Sequence, residues 1–314
     1  MSLAFVFPGQ GSQSIGMMAS LAPLSPVVAA TFAEASEVLG YDLWQRCQEG
    51  PEEALNATEC TQPAMLTVGV ATYRLWRERG GAVPQMMAGH SLGEFTAWVA
   101  AESLEFKAAV ELVLFRAQAM QSAVPQGEGA MAAVLGLEDA DVEAVCREVA
   151  EGGGVVEPVN FNSPGQVVVA GDAASVTRAG EALTARGARR VMPLPVSVPA
   201  HSSLMAPAAE KLRLRLEEVP VEPPEGPRVY GVDVKTYWQP EDIRNSLVKQ
   251  LHTPVYWAAT VRTMIEAGAT HFIECGPGKV LTGLNRRIDK NRDLKMLALQ
   301  DAASFEEALA KSRL

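Results

Sequence analysis

The stretch QMMAGHSLGEFTAWVAA, residues 85–101, decides how the rest of the chain is read. Gln85–Ala88 reads as a strand, and Gly89-His90-Ser91-Leu92-Gly93 has the Gly-x-Ser-x-Gly form. Glu94–Ala101 then carries the spacing of an amphipathic helix. A strand, a glycine-flanked turn and a helix, in that order, can hold a serine at a sharp elbow on top of an α/β sheet. The glycines allow strand and helix to approach closely, and Ser91 falls at the helix N-terminus, where free N–H groups favour developing negative charge. The same pattern also fits an ordinary strand-to-helix turn with Ser91 as its N-cap.

Working outward, Leu3–Phe7 is a second apolar run, broken by Pro8-Gly9, and reads as a buried strand ending in a tight loop. Segments 61–80, 91–102 and 105–124 have helical periodicity. Their apolar runs, such as Met65–Ala71, are short and sit inside amphipathic patterns, so none reaches the roughly 18 residues of a membrane span. Between 129 and 199 the pattern changes. Ala130–Leu137 reads as a strand and Asp139–Ala150 as a helix; Val155–Phe161 and Gln166–Gly171 read as strands joined at Asn162-Ser163-Pro164-Gly165. Ala174–Arg186 follows as a helix and Arg190–Val198 as a last strand. That β-α-β-β-α-β order is the ferredoxin-like unit. Strand and helix alternate again after 200, past the proline-dense loop Val219–Arg228. Residues 127–199 are therefore expected to form a small subdomain inserted in an α/β core built from 1–126 and 200–314.

A chain of 314 residues suits one large domain or two at roughly 100–200 residues each. Lys plus Arg number 27 and Asp plus Glu 37, giving a net charge of −10, the wrong sign for a general nucleic-acid binder. No Lys or Arg precedes Arg46, so the N-terminus lacks the basic region of a secretory signal. Cys47, Cys60, Cys146 and Cys275 lie far apart, which fits a reducing cytoplasm, and His90, His201, His252 and His271 form no zinc pattern.

A serine of ordinary acidity needs a base to act as a nucleophile. His90, next to Ser91, would point away from it at a tight turn. His201 follows the proline-punctuated strand Met192–Pro199 and opens a helix over Ser202–Leu216, a strand end where α/β sites gather. His252 and His271 stay open as alternatives, with Asp172 or Asp233 as the acid of a serine hydrolase. Arg116 is an independent signal. On a wheel of about 100° per residue, Lys107, Glu111, Gln118 and Gln121 mark the solvent face and Arg116 lies about 180° away, among Ala109, Leu112, Val113, Ala119 and Met120. A guanidinium there must find an anion, either an internal carboxylate or a ligand's. Two glycine loops fail as nucleotide sites. Ser14 replaces the third glycine after Gly9-Gln10-Gly11, and Ile273 and Val280 displace the Walker pattern around Gly276-Pro277-Gly278-Lys279. The Pro8–Gly11 loop could instead aim an N–H at an oxyanion.

With these residues in view, the chain resembles the malonyl-CoA:acyl-carrier-protein transacylase family of bacterial fatty-acid synthesis over essentially its full length. The matching segments include FVFPGQGSQ (Phe5–Gln13), TQPAM (Thr61–Met65), GHSLGE (Gly89–Glu94), FRAQAM (Phe115–Met120) and GAMAAV (Gly129–Val134). NFNSPGQ (Asn160–Gln166), VPAHSSLM (Val198–Met205), QLHTPVYW (Gln250–Trp257) and ECGPGKVLTGL (Glu274–Leu284) complete the set.

The resemblance implies a hydrolase-like α/β core with a parallel sheet, carrying the ferredoxin-like subdomain. It implies Ser91 as the acylated nucleophile, His201 as its base, and the Gln250 main-chain carbonyl as the group that orients His201. Arg116 would meet the malonyl carboxylate, and the backbone N–H groups of Gln10 and Leu92 would form the oxyanion hole. Malonyl-CoA and the phosphopantetheine thiol of acyl carrier protein would be the substrates, with no cofactor or metal of the enzyme's own, no nucleic acid and no membrane. Arg189 and Arg190 (with Arg186), or Arg286 and Arg287 in the basic stretch 286–295, would dock the acidic carrier. Gly231 stands where the family commonly has asparagine. A free-standing malonyl acyltransferase of polyketide synthesis is the near alternative, and a serine thioesterase or hydrolase the remote one.

Overall fold

The computed structural model describes residues 2–196 and 198–312. Its strands are β1 (Leu3–Phe7), β2 (Met86–Gly89), β3 (Gly129–Leu135), β4 (Val156–Ser163), β5 (Gln166–Asp172), β6 (Arg190–Pro193), β7 (Arg228–Tyr230), β8 (His271–Glu274) and β9 (Lys295–Ala298). Five of them form one sheet in the order β7-β2-β1-β8-β9, with every neighbouring pair parallel. β1 is central and all five of its residues are buried, as expected for a strand covered by helices on both faces.

The helix Thr58–Glu78 departs from its expected amphipathic character, being buried without a break from Cys60 to Thr72. So does Gly93–Ala100, in which all eight residues are buried. Both helices are enclosed by others rather than laid on the surface, so their apolar residues run all the way round. They also touch closely: a Cβ on Gly69 would lie 2.5 Å from Thr96 Cγ2.

The remaining four strands form the antiparallel sheet β4-β5-β3-β6, the expected ferredoxin-like order. Helices Asp139–Glu151 and Ala173–Ala185 cover one face, where Val134, Val142, Val145, Val167, Val169 and Leu183 pack together. Alternation along β3 turns Met131 and Ala133 to the other face, with Val159, Val168 and Leu194. The two sheets are tied at Val255, whose carbonyl accepts from Phe161 N at 2.9 Å while its N–H donates to Val159 O at 2.8 Å.

β6 stops at Pro193 instead of reaching 198, because Pro193, Pro195 and Pro199 cannot donate to a ladder; Ser197, within the expected strand, lies outside the described residues. The helix expected from Ser202 begins as a 3-10 turn, Ser203–Met205, and becomes α-helical over Ala206–Glu217.

The elbow depends on missing side chains. A Cβ on Gly93 would lie 2.0 Å from Phe7 O, and one on Gly89 1.8 Å from Gly93 C. Gly93→Ala should therefore destabilise the fold by about 1–3 kcal/mol or more, as overpacking against backbone does. Thermal unfolding checks this, and an unchanged Tm would mean the turn relaxes freely.

Candidate active site

Ser91 sits between the end of β2 and the helix Gly93–Ala100 with a φ of 52°, and His201 follows the proline run with a φ of 65°. Both are left-handed conformations, uncommon for residues with side chains and frequent where geometry is imposed at a site. The two side chains meet: Ser91 Oγ lies 2.7 Å from His201 Nε2. On the far side of the ring, His201 Nδ1 lies 2.6 Å from Gln250 O. A carbonyl only accepts, so Nδ1 carries the proton and bare Nε2 faces the serine hydroxyl. The pair is therefore set to take a proton from Ser91.

His201 is 2 % exposed. Burial, and then the positive charge of Arg116, push its pKa down to about 3, against the opposing pull of the Gln250 carbonyl. It is neutral at pH 7 and able to accept a proton.

Arg116 projects from the helix Phe106–Gln121 and is 1 % exposed. Glu111 and Gln118, on the opposite face of that helix, are exposed. Of the two alternatives for its anion, the internal carboxylate is not bonded to it directly. Nη1 donates to Gln62 Oε1 at 2.7 Å and Nη2 to Gln250 Oε1 at 2.8 Å, with Ser91 Oγ 3.5 Å from Nη2. The guanidinium carbon stands 5.4 Å from the Phe95 ring centroid. Burial lowers its pKa to about 10, so it stays charged at neutral pH. A buried cation held by neutral amide oxygens, 3.5 Å from a serine hydroxyl, is prepared for an anion arriving on that serine.

Gln10, in the loop after β1, and Leu92, the residue after Ser91, both line the cavity over Ser91 and His201. Neither backbone N–H donates to an acceptor among the described residues. Leu92 is also where an elbow's own N–H serves an oxyanion. Met120 from the helix Phe106–Gln121, Met131 from β3, and Leu194, Val196 and Val198 from the segment after β6 supply the apolar wall.

His90 points away from Ser91, as its adjacency predicts. Its Nε2 lies 2.8 Å from Asn162 Oδ1 on β4, and its ring packs against Trp257. The hydrolase alternatives are dispersed. Asp172 caps the helix Ala173–Ala185 beside the small sheet, Asp233 accepts from Tyr237 Oη, and His271 contacts Thr270 at the start of the inner strand β8. Two residues of this hydrogen-bonded cluster escaped the sequence reading: Gln62 on Thr58–Glu78, and Glu94, fully buried behind Gln250. The signal for Glu94 was of the same kind as for Arg116, a charged residue in an otherwise apolar helix.

Residues 4–300 match the acyl transferase domain family. The malonyl CoA-acyl carrier protein transacylase of Escherichia coli (strain K12) is 56% identical over 306 residues, covering 98% of each chain. Its counterpart from Bacillus subtilis (strain 168) is 43% identical over 307 residues, covering 98% of this chain and 96% of that one. Among solved structures, a malonyl-transacylase in complex with a type II PKS acyl-carrier protein superposes with a TM-score of 0.96 at 52% identity, covering 99% of this chain and all of that one.

Proposed function

This chain belongs to the malonyl-CoA:acyl-carrier-protein transacylases, a family of acyl transferase domains, and we propose that Ser91, His201 and Arg116 carry its reaction. The enzyme transfers a malonyl group from malonyl-CoA to the phosphopantetheine thiol of acyl carrier protein. His201 Nε2 takes the Ser91 proton as Oγ attacks the thioester carbonyl. The N–H groups of Gln10 and Leu92 receive the oxyanion of the tetrahedral intermediate. The C–S bond breaks, and the CoA thiolate leaves with the proton from His201. The carrier thiol then gives its proton to His201 and attacks the malonyl-serine; the C–O bond breaks and Ser91 recovers its proton. Arg116 holds the malonyl carboxylate in both half-reactions. The Gln250 carbonyl orients and supports the imidazolium, so a dyad suffices without an acidic third member.

The observation that carries this reading is the single cluster of Ser91, neutral His201 and cationic Arg116. No cofactor of the enzyme's own enters the reaction, since the phosphopantetheine belongs to the carrier. We place the product as extender unit for fatty-acid synthesis in the cytoplasm; a polyketide carrier would present the same thiol. No described helix is long and apolar enough to cross a membrane. We assign residues 1–126 with 200–314 to the hydrolase-like catalytic core and 127–199 to the small ferredoxin-like subdomain.

For the carrier we assign a docking strip across the join of the two sheets. Arg287 Nη1 donates to Gln166 Oε1 at 2.9 Å; the adjacent Gly165 O accepts from Gly136 N at 2.8 Å, and Gly136 packs on Arg189. Exposed Arg189 and Arg190 thus lie on the same run of surface as exposed Arg286 and Arg287. Arg186 is paired with Glu148.

The test is intact-protein mass spectrometry after brief mixing with malonyl-CoA, followed by peptide mapping. A malonyl adduct on the Ser91 peptide, discharged by holo acyl carrier protein, is the expected result. CoA release without an adduct would make water the acceptor and overturn the transferase reading.

A further inference from the structure

We propose that Glu94 is a positioning residue of the acyl site, fixing through the Gln250 side-chain amide the orientation in which Arg116 meets its ligand. The proposal rests on the reading of Arg116 as the partner of the malonyl carboxylate.

Glu94 is fully buried, and burial raises its pKa against the opposing pull of four hydrogen-bond donors. Oε1 accepts from Ser246 Oγ at 3.1 Å and from Trp98 Nε1 at 3.4 Å. Oε2 accepts from Gln250 Nε2 at 2.8 Å and from Val232 N at 3.3 Å. A primary amide has one accepting and one donating end, and Gln250 could in principle be turned either way. Glu94 removes that freedom. Its carboxylate only accepts, as does Ser91 O, 3.2 Å from Gln250 Nε2, so the amide nitrogen faces them both. Gln250 Oε1 is thereby left for Arg116 Nη2 at 2.8 Å. Turned over, the amide would set N–H groups against the guanidinium and leave a buried cation without that acceptor.

The same arrangement keeps the counter-charge one amide away from Arg116. A carboxylate bonded directly to the guanidinium would occupy the fork that an incoming carboxylate needs. Placed behind Gln250, Glu94 offsets the buried positive charge while leaving donors unused; Arg116 Nε has no partner among the described residues. Glycine at 231 fits this pattern. A Cβ there would lie 2.9 Å from Ser246 Oγ, 3.1 Å from Asp233 Oδ1 and 3.3 Å from Tyr237 Cε2. The space of a larger residue is taken by the serine that donates to Glu94 and by its neighbours.

The experiment compares Glu94→Gln and Glu94→Asp with Arg116→Ala. It measures kcat and KM for malonyl-CoA and acetyl-CoA with holo acyl carrier protein, together with thermal unfolding. Glutamine at 94 can offer its own amide to Gln250 and release the orientation. The expected result is a loss of about tenfold or more in kcat/KM for malonyl-CoA, carried by KM, with acetyl-CoA changed by less than about threefold. Aspartate keeps an acceptor-only group one methylene further back, so its loss should be selective in the same way but smaller. It also carries the test if the glutamine variant does not fold. Equal losses for both thioesters in the folded variants would reduce Glu94 to a structural residue and overturn the proposal. If Arg116→Ala itself leaves the malonyl-to-acetyl ratio unchanged, the underlying reading fails and takes this one with it. If Arg116→Ala shifts that ratio and the Glu94 variants do not, only the role of Glu94 is lost.

Discussion

Replacing His201 with alanine should slow malonylation of Ser91 by about 10²–10⁴-fold, the usual contribution of a positioned general base. The fold should survive: the imidazole makes two polar contacts, to Ser91 Oγ and Gln250 O, and its loss removes no backbone bond. Rapid-quench measurement of the acyl-enzyme resolves the step. A serine hydrolase relying on His252 or His271 would keep its rate in this variant, so retained acylation would break the dyad assignment. Ser91→Ala should give no adduct at all.

The pH profile supplies a second view of the same residue. A free imidazole protonates near pH 6.5, and an ordinary base would lose activity through that range as pH falls. Burial and the nearby Arg116 charge depress the pKa of His201 to about 3, so its base form persists well below 6.5. Acylation kcat/KM should stay level from pH 8 down to about 5. Arg116→Ala removes the second cause of the depression, and the acid limb should move up toward 6.5.

Much of this site was legible in the sequence because it depends on local rules. Gly-x-Ser-x-Gly between a strand and a helix specifies an elbow, and an arginine opposite the polar face of its helix specifies a buried cation. The inserted sheet was legible too, through its β-α-β-β-α-β order and the turn at 162–165 that joins β4 to β5, although β3 pairs with β5 and β6, some 40 and 60 residues further along the chain. What the sequence hid is what long-range packing decides. β1 pairs with β8 across some 270 residues of chain, Leu3 opposite His271, and no periodicity encodes that register. The helices Pro26–Leu39 and Leu43–Glu49 went unassigned although Ser25 and Asp42 cap them locally; what fixes them is the packing of Phe32 and Leu43 into the core. Gln62 and Glu94 escaped because each matters only through Arg116, and which amide reaches a guanidinium depends on where three helices cross.

Arg116→Ala should invert the acyl preference. The guanidinium is held by two amide oxygens, Gln62 Oε1 and Gln250 Oε1, which are neutral and give way to a carboxylate more readily than an ionised partner would. Losing one member of a buried, charge-assisted pair costs on the order of 2–5 kcal/mol. Here the stranded charge would be the malonyl carboxylate itself, so kcat/KM for malonyl-CoA should fall by about 10²–10³-fold. Acetyl-CoA has no carboxylate to lose a partner, and removal of a buried cation beside Ser91 leaves its path open. Competition between the two thioesters for the Ser91 adduct measures the ratio directly. Arg116→Lys sharpens the test, because lysine keeps a positive charge without the planar fork that two oxygens grip together. Its preference should lie between those of wild type and the alanine variant. If charge alone sufficed, lysine would match wild type. If Arg116 were only a packing residue, wild type itself would accept acetyl and malonyl groups at equal rates, and neither substitution would move the ratio.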